Sequence, residues 1–172
     1  MKFSSISKIL GDAKNGKMFI LVDDERRENE GDLIVPAAKI NAKLINFMAK
    51  YGRGLICLTL CQKQADKLNL SLMSPNNISR SQTAFTVSID AKFGVTTGIS
   101  AHDRYITIKK AIQKKISSKF FVSPGHARTA AYLRRRGARA VADPDRSIVL
   151  VRWGDRACAD VPGGPGHRQD RA

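Results

Sequence analysis

The chain has 172 residues, 42% of them hydrophobic, and 30 Lys+Arg against 15 Asp+Glu give a formal charge of +15. That is one medium domain with enough apolar residue for a core, which excludes a wholly disordered chain; no apolar run approaches the ~20 residues of a membrane span, and the start, Met1 to Lys8, lacks a signal-peptide block, so a cytoplasmic protein is expected. Three cysteines, Cys57, Cys61 and Cys158, are too few and too badly spaced for a disulfide scaffold or a zinc site.

In chain order, Ile6, Ile9 and Leu10 share a face and predict a short helix ending around Gly11–Gly16. Met18 to Val22 is an unbroken apolar run, as expected of a buried strand. From Asn41 to Tyr51, residues Leu44, Phe47, Met48 and Tyr51 form one helical stripe, closed by Gly52. Leu55 to Leu60 is a second buried strand, and Gln62 to Leu68 a helix. Phe85, Val87 and Ile89 alternate with polar residues, the pattern of a half-buried strand. Ser100 followed by Asp103 fits a capping box, with Ile108, Ile112 and Ile116 as the seam of the helix it opens. Lys109, Lys110, Lys114 and Lys115 fall off that seam, on a solvated face. Thr129 to Arg136 reads as helical, and Ile148 to Trp153 as one strand. Strands and helices mixed throughout give an α+β or α/β-like class.

Composition changes near residue 120. Residues 1–120 hold all 15 lysines, all 7 asparagines and 14 of the 15 isoleucines, while 121–172 hold 10 of the 15 arginines. Net charge is 20 − 10 = +10 in the first part and 10 − 5 = +5 in the second. Lys, Asn and Ile use AT-rich codons; Arg, Ala, Gly and Pro use GC-rich ones. The break predicts that residues 127–172 are a frameshifted or joined segment; an Arg-rich surface tail is the alternative.

The sign of the charge reverses in Asp23-Asp-Glu-Arg-Arg-Glu-Asn-Glu-Gly-Asp32, with six acids and two arginines in ten residues. Crowded carboxylates need a cation or a shared proton, and their oxygens suit a hard ion such as Mg²⁺. A charged surface loop with local salt bridges is the competing explanation for such a run taken alone.

This segment resembles the signature of 3,4-dihydroxy-2-butanone 4-phosphate synthase, the riboflavin-pathway enzyme: Asp-Asp-Glu-x-Arg-Glu-Asn-Glu-Gly-Asp after an apolar strand. The resemblance continues through Phe47-Met48, Gly54-Leu-Ile-Cys57, Leu68-x-Leu-x-x-Met73, Thr83-x-Phe-Thr-Val-Ser88, Gly94-Val-Thr-Thr-Gly-Ile-Ser-Ala101 and Asp103-Arg104 to Pro124-Gly-His126. It covers about residues 3–126 in one register. It implies a single-domain synthase-type fold, incomplete at the C-terminus, with residues 1–126 as the synthase part and 127–172 as an atypical tail. The implied activity is a lyase converting D-ribulose 5-phosphate to 3,4-dihydroxy-2-butanone 4-phosphate and formate, with Mg²⁺ or Mn²⁺, as a homodimer.

Carried over residue by residue, the resemblance makes Glu28 a metal ligand and substrate contact and Arg27 a substrate contact. It makes Asp32 a carboxylate that touches substrate hydroxyls and moves protons, with Glu30 a weaker candidate in the same loop. Cys57 aligns with a family cysteine; a catalytic thiol and a small core residue both remain open. Thr97 lies before the helix opened by Ser100, where hydroxyls and amides hold anions, so the phosphate is placed there, with a plain turn and cap as the rival. His126 aligns with a histidine the family needs for activity. His102 reads as surface.

Beyond His126 the family continues with an Arg-x-Gly-His-Thr-Glu motif that supplies the second metal ligand and phosphate contacts. Neither Leu133-Arg-Arg-Arg-Gly-Ala-Arg-Ala140 nor Gly163-Gly-Pro-Gly-His167 reproduces it. Weakened activity is the expectation, with an inactive remnant as the alternative. A basic nucleic-acid-binding protein is the other class. Aromatics at 6% and the lack of a stacking platform make nucleic acid a poor partner.

Overall fold

The computed structural model describes residues 4–22, 30–78, 83–132 and 147–153. Its frame is one six-stranded mixed sheet with helices. In chain order the strands are β1 (Phe19–Val22), β2 (Gly31–Pro36), β3 (Ile56–Cys61), β4 (Ile89–Ala91), β5 (Phe121–Tyr132) and β6 (Ile148–Trp153). The helices are α1 (Ile6–Lys14), α2 (Ala42–Phe47), α3 (Gln62–Lys67) and α4 (Ala101–Ala111). The sheet runs β1-β2-β6-β3-β5-β4, with β3 and β5 parallel and the other pairs antiparallel.

The period-2 alternation of strands sorts residues to two faces. Leu33, Val35, Ile56, Leu58, Val149 and Val151 turn to one side and pack with Ile45 and Met48 of the α2 region and with Ile108 and Ala111 of α4. Asp32, Cys57, Thr59 and Leu150 fall on the other side by the same alternation. Gln64 of α3 is buried and donates to the carbonyls of Ala111 (2.7 Å) and Gln113 (3.1 Å), capping the end of α4 from a different helix.

Several expectations change. The Met18–Val22 run is not a buried strand: β1 is the outermost strand, and Leu21 and Val22 are 57% and 43% exposed. An edge strand packs against one neighbour only, so an apolar run does not secure burial. The helix from Asn41 is α-helical only to Phe47 and continues as a π turn, Met48–Gly52, closed by Arg53 at φ 54°. Gly52 serves a close approach instead: a Cβ there would lie 2.5 Å from Val151 Cγ1. In α4 the helix stops at Ala111, so Ile116 packs on the core from outside it. Thr129 is not helical: Thr129–Tyr132 is strand, because β3 supplies a parallel ladder partner. Residues 133–136 lie outside the described residues.

Position 126 falls inside β5, and β6 occupies the centre of the sheet between β2 and β3. The Ala37 amide donates to the Ser147 carbonyl (2.8 Å) and the Ile148 amide to Thr59 Oγ1 (3.2 Å), which fixes the start of β6. The residues described after 126 are thus part of the frame.

Candidate active site

Register determines which of the expected site residues share a surface. Asp32 pairs with Arg152 of β6, Leu150 of β6 pairs with Cys57, and Cys57 pairs with Arg128 of β5. Asp32 and Cys57 therefore stand on the face opposite the main core, separated by β6 and offset by two residues. Strand spacing puts their α-carbons about 12 Å apart, too far for direct contact. Asp32 and Glu30 are partly buried; Cys57 is buried at 4% exposure. Arg27 and Glu28 lie outside the described residues.

Toward the other side of the sheet, β4 and β5 lose register. Ile89 pairs with Ala127 but Asp90 pairs with Val122, so residues 123–126 bulge from the ladder. The Gly125 amide donates to Ser88 Oγ (3.2 Å), and Ser123 Oγ donates to the Ser88 carbonyl (2.9 Å). His126 is held within this bulge by Asp90. Its backbone amide donates to Asp90 Oδ1 (2.9 Å), and its Nδ1 lies 2.8 Å from Asp90 Oδ2. The Asp90 side chain is 9% exposed and that of His126 is 45% exposed.

The loop ahead of α4 is fastened from beneath by Asp103. The Thr96 amide donates to Oδ1 (3.2 Å), while the Thr96 hydroxyl (2.8 Å) and the Gly98 amide (3.1 Å) donate to Oδ2. Ser100 caps α4 as expected, accepting from the Asp103 amide (3.0 Å). Burial works against the Asp103 charge, but the hydrogen bonds from Thr96, Gly98 and Ser100 outweigh it and hold the carboxyl below the usual range. Two loop amides are thereby spent on a protein carboxylate. Thr97 is exposed beside them, and an anion here would meet its hydroxyl rather than the Thr96 and Gly98 amides. Gly98 has φ +86° and lies against the Asp90–His126 pair, so the Thr97 loop and His126 belong to one neighbourhood.

Among the described residues no three of His, Cys, Asp and Glu form a metal-holding group. Glu30 and Asp32 flank the start of β2, and carboxylate oxygens are the donor type a hard divalent ion takes, with one or two carboxylates and waters sufficing for Mg²⁺. The donor chemistry fits; Glu28, the expected ligand, is outside the described residues.

The family model for 3,4-dihydroxy-2-butanone 4-phosphate synthase matches residues 7–140. The chain belongs to that family. Among its relatives, the riboflavin biosynthesis protein RibBA of Aquifex aeolicus is 50% identical over 143 residues, covering 79% of this chain and 35% of the relative. The 3,4-dihydroxy-2-butanone 4-phosphate synthase of Photobacterium phosphoreum is 50% identical over 126 residues, covering 73% and 35%. The chain thus spans about a third of the length of these curated relatives. A crystal structure of a 3,4-dihydroxy-2-butanone 4-phosphate synthase in complex with two magnesium ions superposes with a TM-score of 0.80 at 31% identity, over 88% of this chain and 76% of that one. RibBX, a two-domain synthase from A. baumannii, gives 0.78 at 33%, over 87% and 48%. The mixed single sheet is the fold of these synthases.

Asp90 and Arg128 stand outside the motifs that mark the expected site residues. The signal for Asp90 was present: a lone carboxylate between Ile89 and Ala91 in an apolar strand needs a partner to be buried. Arg128 follows His126 by two residues and pairs with Cys57, which only the register reveals. No described helix is long and apolar enough to cross a membrane.

Proposed function

We propose that this chain is a lyase of riboflavin biosynthesis, converting D-ribulose 5-phosphate to 3,4-dihydroxy-2-butanone 4-phosphate and formate. The observation that carries the reading is the family match over residues 7–140, which spans Asp32, Cys57 and His126.

The reaction deprotonates the sugar to an enediol, rearranges the carbon skeleton and releases C4 as formate. A base working near neutral pH is required, and an imidazole suits it. In this reading His126 takes and returns protons at Nε2, and Asp32 binds substrate hydroxyls and shares that work. Glu30 supports Asp32, and the Cys57 thiol borders the reacting carbons. Arg27, Glu28, Asp32 and Thr97 hold the substrate, Thr97 on the phosphate side. Glu28 would hold Mg²⁺ or Mn²⁺, which when bound polarises sugar oxygens and offsets enediolate charge. A homodimer in the cytoplasm completes the proposal; light scattering on the purified chain tests the dimer.

Turnover should be slow. The Arg-x-Gly-His-Thr-Glu motif is absent after His126, and a missing ligand and phosphate contact remove binding realised in the transition state. We assign the composition break to a frameshift or junction in the coding sequence within codons 120–130; an intact frame of uniform base composition there refutes it. The lyase reading is tested by incubating the purified chain with ribulose 5-phosphate and Mg²⁺ and detecting formate. A folded chain that gives none is instead the inactive remnant.

A further inference from the structure

Asp90 makes two hydrogen bonds to one residue. Oδ1 accepts from the His126 backbone amide (2.9 Å) and Oδ2 lies 2.8 Å from His126 Nδ1. The first bond matters as much as the second, because it fixes which way the carboxylate faces. Residues 123–126 leave the β4–β5 ladder, so the His126 amide has no strand partner in β4 and Asp90 takes that place. Gly98 closes over the pair: a Cβ there would lie 2.1 Å from Asp90 Oδ2 and 2.8 Å from His126 Nδ1. The carboxylate is thus walled in while nearly half of the imidazole stays open to solvent.

A carboxylate can only accept hydrogen bonds. We propose that Asp90 is the positioning residue for His126, fixing the tautomer with the proton on Nδ1 and leaving Nε2 unprotonated on the exposed side of the ring. This rests on the reading of His126 as the proton-transfer group. Asp90 is walled off from solvent and sets which nitrogen of His126 carries the lone pair.

The geometry makes an unusual prediction for Asp90→Asn. The His126 amide must still donate to an oxygen, so the Asn carbonyl takes the Oδ1 place and its NH₂ is turned toward Nδ1. Nδ1 must then accept, and the proton moves to Nε2, where it blocks the base. Long-range ¹H–¹⁵N correlation spectra of the ¹⁵N-labelled full chain, at a pH where its histidines are neutral, read this directly. The His126 signals are those missing from a His126→Gln spectrum. In the wild type, Nδ1 should be the protonated nitrogen and Nε2 the unprotonated one, and Asp90→Asn should exchange them. Formate release should fall about 10²- to 10⁴-fold in kcat with little change in KM. A wild-type spectrum with the proton on Nε2 overturns the proposal without any variant and without turnover. So does full activity of Asp90→Asn when His126→Gln is dead. Full activity of His126→Gln defeats the base assignment instead, and the wild-type spectrum then still decides the role of Asp90.

Discussion

The α-carbon of Gly98 stands so close to the Asp90 carboxylate that a methyl group there would come within 2.1 Å of Oδ2. The φ of +86° at Gly98 is independently one that other residues adopt at a cost. Gly98→Ala therefore meets both a clash and backbone strain. It should lower stability by about 1–3 kcal/mol in urea titration and disturb the ring-nitrogen signals of His126. An unchanged melting curve together with an unchanged His126 spectrum contradicts the packing described.

Asp103 anchors the Thr96–Gly98 loop as a carboxylate, and its folded pKa lies below the ordinary value. A depressed pKa means that the unfolded chain binds the proton more readily. The stabilisation is complete above the ordinary Asp range and is lost as pH falls through the lower folded value. Asp103→Asn should weaken this acid-side loss of stability and speed amide exchange at Thr96 and Gly98 at neutral pH. Exchange at wild-type rates in the variant removes Asp103 from this role.

Gln64 links α3 to the end of α4 through the Ala111 and Gln113 carbonyls. Gln64→Leu keeps much of the volume but strands a buried carbonyl. A loss of about 1–3 kcal/mol is expected in chemical denaturation. A neutral result means that water replaces the cap.

β6 comes from the compositionally odd part of the chain, yet Val149 and Val151 are fully buried in the centre of the sheet. Val151→Ala should cost about 2 kcal/mol from lost burial and cavity. Gly52→Ala alone should also destabilise, because its Cβ would meet Val151 Cγ1. Combined, the two should be less harmful than their sum, since the smaller side chain admits the methyl. Strict additivity places β6 elsewhere.

Much of the frame was legible because its signals are local. Buried β3, the helix opened by Ser100, and the strand at Ile148–Trp153 all announce themselves through apolar runs or a cap. What failed depends on neighbours. Leu21 and Val22 are as apolar as a core strand, but their exposure follows from the strand order. Thr129–Tyr132 becomes strand because β3 offers a parallel edge. At the candidate site, Asp32, Cys57 and His126 stand out in the sequence because they lie in family motifs. Asp90 was missed because its importance lies in a bulge in β5, 36 residues away from it in sequence.

Formate release from D-ribulose 5-phosphate by the purified chain is the decisive measurement of the lyase activity. Formate should appear in the presence of Mg²⁺ and be lost on chelation and in His126→Gln, at rates below those of synthases that carry the Arg-x-Gly-His-Thr-Glu motif. A folded chain that yields no formate, or one whose formate release ignores both chelator and His126→Gln, contradicts it.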